Sequence, residues 1–202
     1  NYNIYRMNYA EVRGFDVGLK PHPRFPRQQR MAASKPLLAD VFDSVRQYMT
    51  TSRRPFPHFN IETKSSKLTD GIFHPAPAEF VDLLMGVVRE KNMETQTTIQ
   101  SFDFRTLQYL HANYPGVQTA MLIDEHDRRS LDEQLASLGF VPTIYSPAYQ
   151  LVTEQLIEAC HVKGMKIIPW TVNTREEMEG LKKRGVDGII SDYPDLFMNE
   201  AR

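Results

Sequence analysis

The sequence predicts an α/β fold on a parallel sheet, a (β/α)8 TIM barrel of which about six of the eight βα units are present. Three observations carry that expectation. The stretch 166–196, KIIPWTVNTREEMEGLKKRGVDGIISDYPDL, reads as strand, helix and strand. Its Ile167, Ile168, Trp170 and Val172 make an extended β-branched and aromatic run, Thr174 and Glu177 have capping-box spacing, and Gly185 after three basic residues suits a left-handed helix end. A βαβ unit of this kind implies parallel strands joined by a right-handed crossover. Upstream the same alternation repeats, with strands starting about 20 to 25 residues apart after the first interval, near the pace of a barrel of about 250 residues. The third observation is the lack of a G-x-G-x-x-G or G-x-x-x-x-G-K-[ST] turn, which an open doubly wound sheet usually carries after its first strand.

In chain order, Asn8 to Val12 is expected to form a short helix, since Asn8 and Glu11 again have capping-box spacing and Gly14 and Gly18 follow. Residues 20–30, KPHPRFPRQQR, hold three prolines, four Lys/Arg and a histidine without periodicity; a solvated surface excursion is favoured over an anion-binding arm. Pro36 is expected to open an amphipathic helix on which Leu37, Leu38, Val41, Phe42 and Val45 recur at three- and four-residue steps, with Ser52 to Pro57 ending it. Strands are expected near His58 to Lys64, Thr95 to Phe102, Val117 to Ile123, Val141 to Tyr145, Lys166 to Val172 and Gly188 to Ser191. Crossover helices are expected at Ala78 to Lys91, Phe104 to Asn113, Ser130 to Leu138, Tyr149 to Lys163 and Thr174 to Arg184. Six barrel strands alone would leave two unpaired edges, so this reading implies that about two N-terminal βα units precede the chain, which begins at Asn1 rather than at a methionine.

The 202 residues can bury one core and read as a single domain spanning 1–202. A net charge of -1, from 24 Lys plus Arg against 25 Asp plus Glu, supplies no field for wrapping nucleic acid. No apolar run approaches the roughly 18 residues of a transmembrane helix. One cysteine, Cys160, rules out an internal disulfide framework and leaves the compartment undetermined.

Chemistry concentrates in a few places. In His58-Phe59-Asn60-Ile61-Glu62-Thr63-Lys64 the apolar Phe59 and Ile61 alternate with Asn60, Glu62 and Lys64. The outer face of a barrel meets helices, so the polar set should point inward, with Glu62 and Lys64 toward the C-terminal mouth. Glu62 then suits an oxygen ligand for a hard divalent cation and Lys64 a point charge for a substrate anion, over a mutually neutralising ion pair. The polar strand Thr95 to Asp103 suggests a wet mouth, with Gln100 and Ser101 placed to hydrogen-bond a ligand, or else packed in a polar network that satisfies its own members; Asp103 is expected to cap the next helix. Trp170, the only tryptophan, is read as a pocket wall in preference to a core filler. Asp187, Asp192 and Asp195 suit turn and cap roles, and none of the six histidines has metal-ligand or triad spacing.

Three motifs resemble the glycerophosphodiester phosphodiesterase family: P-W-T-V-N followed by G-V-D-G-I-I-S-D-Y-P-D (Pro169 to Asp195), I-E-T-K (Ile61 to Lys64) and Q-S-F-D (Gln100 to Asp103). N-Y-A-E-V-R (Asn8 to Arg13) and the Phe25 to Gln28 stretch are similar to that family's link between its second and third strands. The resemblance implies hydrolysis of a small-molecule glycerophosphodiester, such as glycerophosphocholine, to glycerol 3-phosphate and an alcohol, with Mg²⁺ or Ca²⁺ at the mouth. It implies Glu62 as one metal-binding carboxylate, Lys64 on the phosphate and Trp170 in the pocket. The family's H-R, E-x-D and H-D motifs, which hold its acid, its base and two more metal carboxylates, have no counterpart in these residues. A catalytically inactive barrel serving as a binding or regulatory module is the alternative. A sugar hydrolase is weaker, because it needs two carboxylates about 5 to 10 Å apart and only Glu62 is well placed.

Overall fold

The computed structural model describes residues 2–200, and its contacts divide the chain into two compact units, Asn1–Pro57 with Lys67–Met93 and His58–Ser66 with Glu94–Arg202. In the first unit, α1 (Tyr9–Arg13) has Asn8 as its N-cap with both capping-box bonds made, Glu11 N–H to the Asn8 side chain and Asn8 N–H to the Glu11 carboxylate. The following loop is closed by Asp16, whose carboxylate accepts from the backbone N–H groups of Leu19 and Ala33. Gly18 is required there, because a Cβ would sit 2.1 Å from the Met31 carbonyl oxygen. Residues 20–30 carry no helix or strand, and their Lys and Arg side chains are exposed. α2 (Leu38–Ser52) begins later than Pro36, since Leu37 stays extended as an N-cap without a side-chain bond. It packs on α3 (Pro77–Glu90), where Phe42, Val81, Met85 and Val88 are fully buried and Lys91 pairs with Asp43.

The second unit holds the sheet. β1 (Phe59–Glu62), β2 (Thr97–Ser101), β3 (Gln118–Ile123), β4 (Ile144–Pro147) and β5 (Lys166–Ile167) are all parallel, in the spatial order β1-β2-β3-β4-β5. That order decides the architecture. A doubly wound sheet reverses its strand order where its two halves meet, whereas each successive strand here is added on the same side, which is barrel winding. Between β2 and β5 run α4 (Phe104–Asn113), α5 (Leu131–Leu138) and α6 (Glu154–Val162), and α7 (Arg175–Arg184) follows β5. Their starts are fixed by side-chain caps from Asp103, Ser130, Thr153 and Thr174, each accepting a backbone N–H of the first turn. α7 closes as expected, on Gly185 with φ 95°.

The boundaries move where proline and local capping intervene. β4 starts at Ile144 rather than Val141, which is exposed and precedes Pro142, a residue with no N–H for the ladder. The helix expected from Tyr149 is two pieces, a 3-10 turn at Tyr149–Leu151 and then α6, because Thr153 caps afresh. Pro169 cuts regular pairing in β5 to two residues, although Ile168 N–H and Trp170 N–H still reach the carbonyls of Tyr145 and Pro147. Gly188 to Ser191 is not a regular strand. It nevertheless runs beside β5, with Asp187 N–H on the Ile167 carbonyl, Ile190 N–H on that of Pro169 and Val172 N–H on that of Ile190.

Register separates the faces of the sheet. Glu62, Gln100, Ala120, Ile144 and Lys166 are successive partners and share one face; Ile61, Ile99, Thr119 and the residues in phase with them share the other. The second face meets helices, as Thr63 bonds Thr106 of α4 and Tyr145 bonds Gln134 of α5.

Candidate active site

The residues at the C-terminal ends of the strands fall into two groups. The first is built on β1 and β2. Glu62 ends β1 and Lys64 lies just past it, with Lys64 Nζ 3.6 Å from Glu62 Oε2. The two charges therefore do pair, but not in a buried interior: the Lys64 side chain is 82% exposed and that of Glu62 22%. An ion pair this open contributes about 0–1 kcal/mol, so it holds neither partner away from a ligand. Gln100, the Cα partner of Glu62, accepts at Oε1 from Asn60 Nδ2 at 2.7 Å, which leaves its amide NH₂ as the group it can offer a ligand oxygen.

The second group is aromatic. Trp170 is half-buried, donates from Nε1 to the Ser146 carbonyl at 3.0 Å, and meets the ring of Phe102 edge to face with centroids 5.3 Å apart. The Trp170–Thr171 peptide bond is cis. Phe102 is 44% exposed and follows Gln100 by two residues, so the alternation of β2 puts both on one face. It went unread in the sequence; that same alternation, carried one step past the strand end, is the signal that would have found it. Beside Trp170, Asn173 braces the last loop, donating to the Asp192 carboxylate and accepting from Asp192 N–H and the Ser191 hydroxyl.

Ser101 does not join either group. It lies on the helix-facing side of β2, fully buried, donating to the Thr63 carbonyl at 2.8 Å and accepting from Asp103 N–H at 3.0 Å. The expected wet mouth along β2 is corrected with it: Thr97 and Thr98 are also buried, and only Gln100 is partly open. Asp103 is the cap it was expected to be, accepting from Arg105 N–H and gripped by the Arg105 guanidinium. Burial raises the Asp103 carboxyl, but its bonds from Arg105 and Ser65 outweigh that and leave its pKa below the usual range. Asp187 is structural too, accepting from Ile167 N–H and His161. His74 lies in the other unit, with Nδ1 donating to the Pro75 carbonyl and Nε2 on the Thr69 hydroxyl.

Hard divalent cations take six or more oxygens. Among the described residues no group of three or more His, Cys, Asp or Glu side chains could hold a metal ion. Glu62 offers one carboxylate, so the residues present do not by themselves fit Mg²⁺ or Ca²⁺.

Parallel strands wound in barrel order, with a charged pair, an amide and an aromatic wall on the face they share, define an α/β-barrel protein. The family model described as the Glycerophosphoryl diester phosphodiesterase family matches residues 3–196, and the chain belongs to that family. It is 28% identical over 194 residues to a glycerophosphodiester phosphodiesterase of Caldanaerobacter subterraneus subsp. tengcongensis, covering 95% of this chain and 70% of that protein. To one of Bacillus subtilis it is 25% identical, covering 93% and 62%. A structure described as a glycerophosphoryl diester phosphodiesterase from Silicibacter pomeroyi superposes with a TM-score of 0.79 at 29% identity, covering 95% of this chain and 66% of the other. A phosphodiesterase of Oleispira antarctica, solved in complex with the product sn-glycerol-3-phosphate, has the same fold at 18% identity, with a TM-score of 0.70 over 96% of this chain and 70% of the other. The chain thus spans about two thirds of the length of these relatives.

Proposed function

We propose that the protein hydrolyses glycerophosphodiesters to glycerol 3-phosphate and an alcohol, a step in glycerol and lipid metabolism. The observation that carries this reading is the match to the glycerophosphoryl diester phosphodiesterase family over residues 3–196, which includes the Glu62–Lys64 pair at the end of β1. Lys64 holds the phosphate: its exposed ammonium offers three N–H donors, and a fixed positive charge is most useful where negative charge develops during phosphoryl transfer. Trp170 and Phe102 form a flat apolar wall for the glycerol or the leaving alcohol, and the Gln100 amide orients a phosphate or hydroxyl oxygen. Metal dependence belongs to the same proposal, with Glu62 as one carboxylate ligand of Mg²⁺ or Ca²⁺, although it is not part of a group of three or more His, Cys, Asp or Glu side chains among the described residues. The neighbour bound to sn-glycerol-3-phosphate supports the product assigned.

The test is hydrolysis of glycerophosphocholine and glycerophosphoethanolamine by the full-length gene product with Mg²⁺, with Ca²⁺ and with chelator. Cation-dependent turnover is expected. Loss of a charge-assisted contact in Lys64→Ala should raise KM about 10- to 100-fold. Glu62→Ala should lose activity that excess cation restores poorly, and unchanged kinetics would remove that residue from the site. Binding of sn-glycerol 3-phosphate without turnover would favour the binding-module alternative.

A further inference from the structure

We propose that Ser65, acting through Asp103, is a positioning residue for Lys64, an inference that rests on reading Lys64 as the phosphate-binding cation. The Lys64 side chain is mostly exposed, and its one recorded ion pair, with Glu62, spans 3.6 Å. A flexible four-carbon stem with a single open contact does not place its own ammonium. Its reach is set by where the backbone of residue 64 is held, and the residues on both sides of it are tied down.

Thr63 is fastened three ways: its N–H donates to the Gln100 carbonyl, its own carbonyl accepts from Ser101 Oγ, and its hydroxyl bonds that of Thr106 at 2.9 Å. Ser65 is fastened once, by Oγ donating to Asp103 Oδ2 at 2.8 Å. Every one of these anchors lies on a single corner, the end of β2 and the first turn of α4. That corner is itself rigid, since Asp103 N–H donates to Ser101 Oγ, Asp103 Oδ1 caps Arg105 N–H, and the Arg105 guanidinium grips both carboxylate oxygens. The Thr63 side belongs to the buried framework, as Thr63, Ser101 and Thr106 are all buried. The Ser65 side is different. Helix α4 is capped through Oδ1, and the bond from Ser65 goes to the other oxygen, Oδ2, where it ties the segment that carries Lys64 to a fixed point. The hydroxyl is a strut on the open side of the residue whose position the chemistry needs.

The obvious variant, Asp103→Ala, also removes the helix cap and would confuse misfolding with mispositioning, so the test uses Ser65. In the full-length enzyme, Ser65→Ala, Ser65→Thr, Lys64→Ala and the Lys64→Ala/Ser65→Ala double variant are compared for KM and kcat on glycerophosphocholine, Ki for inorganic phosphate, and melting temperature. Ser65→Ala is expected to raise KM and Ki about fivefold to tenfold with kcat nearly unchanged, and Ser65→Thr, which keeps the hydroxyl, to restore them. In the Lys64→Ala background Ser65→Ala should have no further effect, the sign that it acts through the lysine. Equal losses in both backgrounds, or a fall in melting temperature with KM and Ki unchanged, would overturn the positioning role while leaving the role of Lys64 standing. Wild-type KM in Lys64→Ala would instead remove the phosphate-binding reading and this inference with it.

Discussion

Cys160 shows how much one residue's surroundings determine. The thiol is fully buried in α6, and burial together with the nearby Asp187 carboxylate pushes its pKa up to about 12. A thiol is nucleophilic as the thiolate, so at pH 8 the folded protein should be inert to a disulfide reagent such as DTNB and should react once denatured. Fast labelling without denaturant would show that α6 opens. The sequence supports part of this, since a lone cysteine on an apolar helix position is usually a small hydrophobe. At this scale the candidate site divides. The face that Glu62 and Lys64 take was legible because alternation in a short strand fixes which side each residue points to. The sequence leaves Ser101 between a ligand contact and a packed polar network, because its hydroxyl is spent on the Thr63 carbonyl, a long-range partner that no local pattern encodes.

Among the elements, α7 carries the strongest local signals, and they determine its ends. Thr174 accepts from Glu177 N–H, and its hydroxyl also donates to the Glu177 carboxylate at 2.7 Å. Thr174→Ala should cost about 1 kcal/mol, visible as a lower urea midpoint at unchanged slope, and Thr174→Ser should recover most of it. The segment after α7 is fixed by Asp187 instead. Burial raises its carboxyl, but Ile167 N–H and His161 outweigh that, so the folded pKa lies below the ordinary value of 3.8. A depressed carboxylate contributes stability above its unfolded pKa that is lost as the pH falls through its folded value. Urea unfolding from pH 6 to pH 2 should therefore show an acid loss in the wild type that is shallower in Asp187→Asn. An identical pH dependence in the two proteins would mean that the carboxylate stabilises nothing. Element boundaries were less legible than the elements themselves. Pro142 and Pro169 shorten β4 and β5 because a missing N–H matters only where a neighbouring carbonyl waits for it.

For the molecule as a whole, the sheet of the second unit runs from β1 to β5 without β5 returning to β1. The segment 187–191 hydrogen-bonds along the outer side of β5, so among the described residues β1 is the strand edge without a strand partner, and such an edge templates association with other chains. The 202-residue chain, purified alone, should therefore show concentration-dependent association by sedimentation velocity; a monomer at every concentration tested would mean that the edge is protected. By itself the sequence determined the alternation of strands and helices, their caps and the polar face of β1, because side-chain periodicity and capping act within a few residues. Only the tertiary structure decided the rest. It set the order of the strands, paired Phe102 with Trp170, turned Ser101 toward the helices and tied Ser65 to Asp103 across 38 positions of sequence. Each of these is a contact between distant residues, created when the chain folds back on itself and absent from any local pattern.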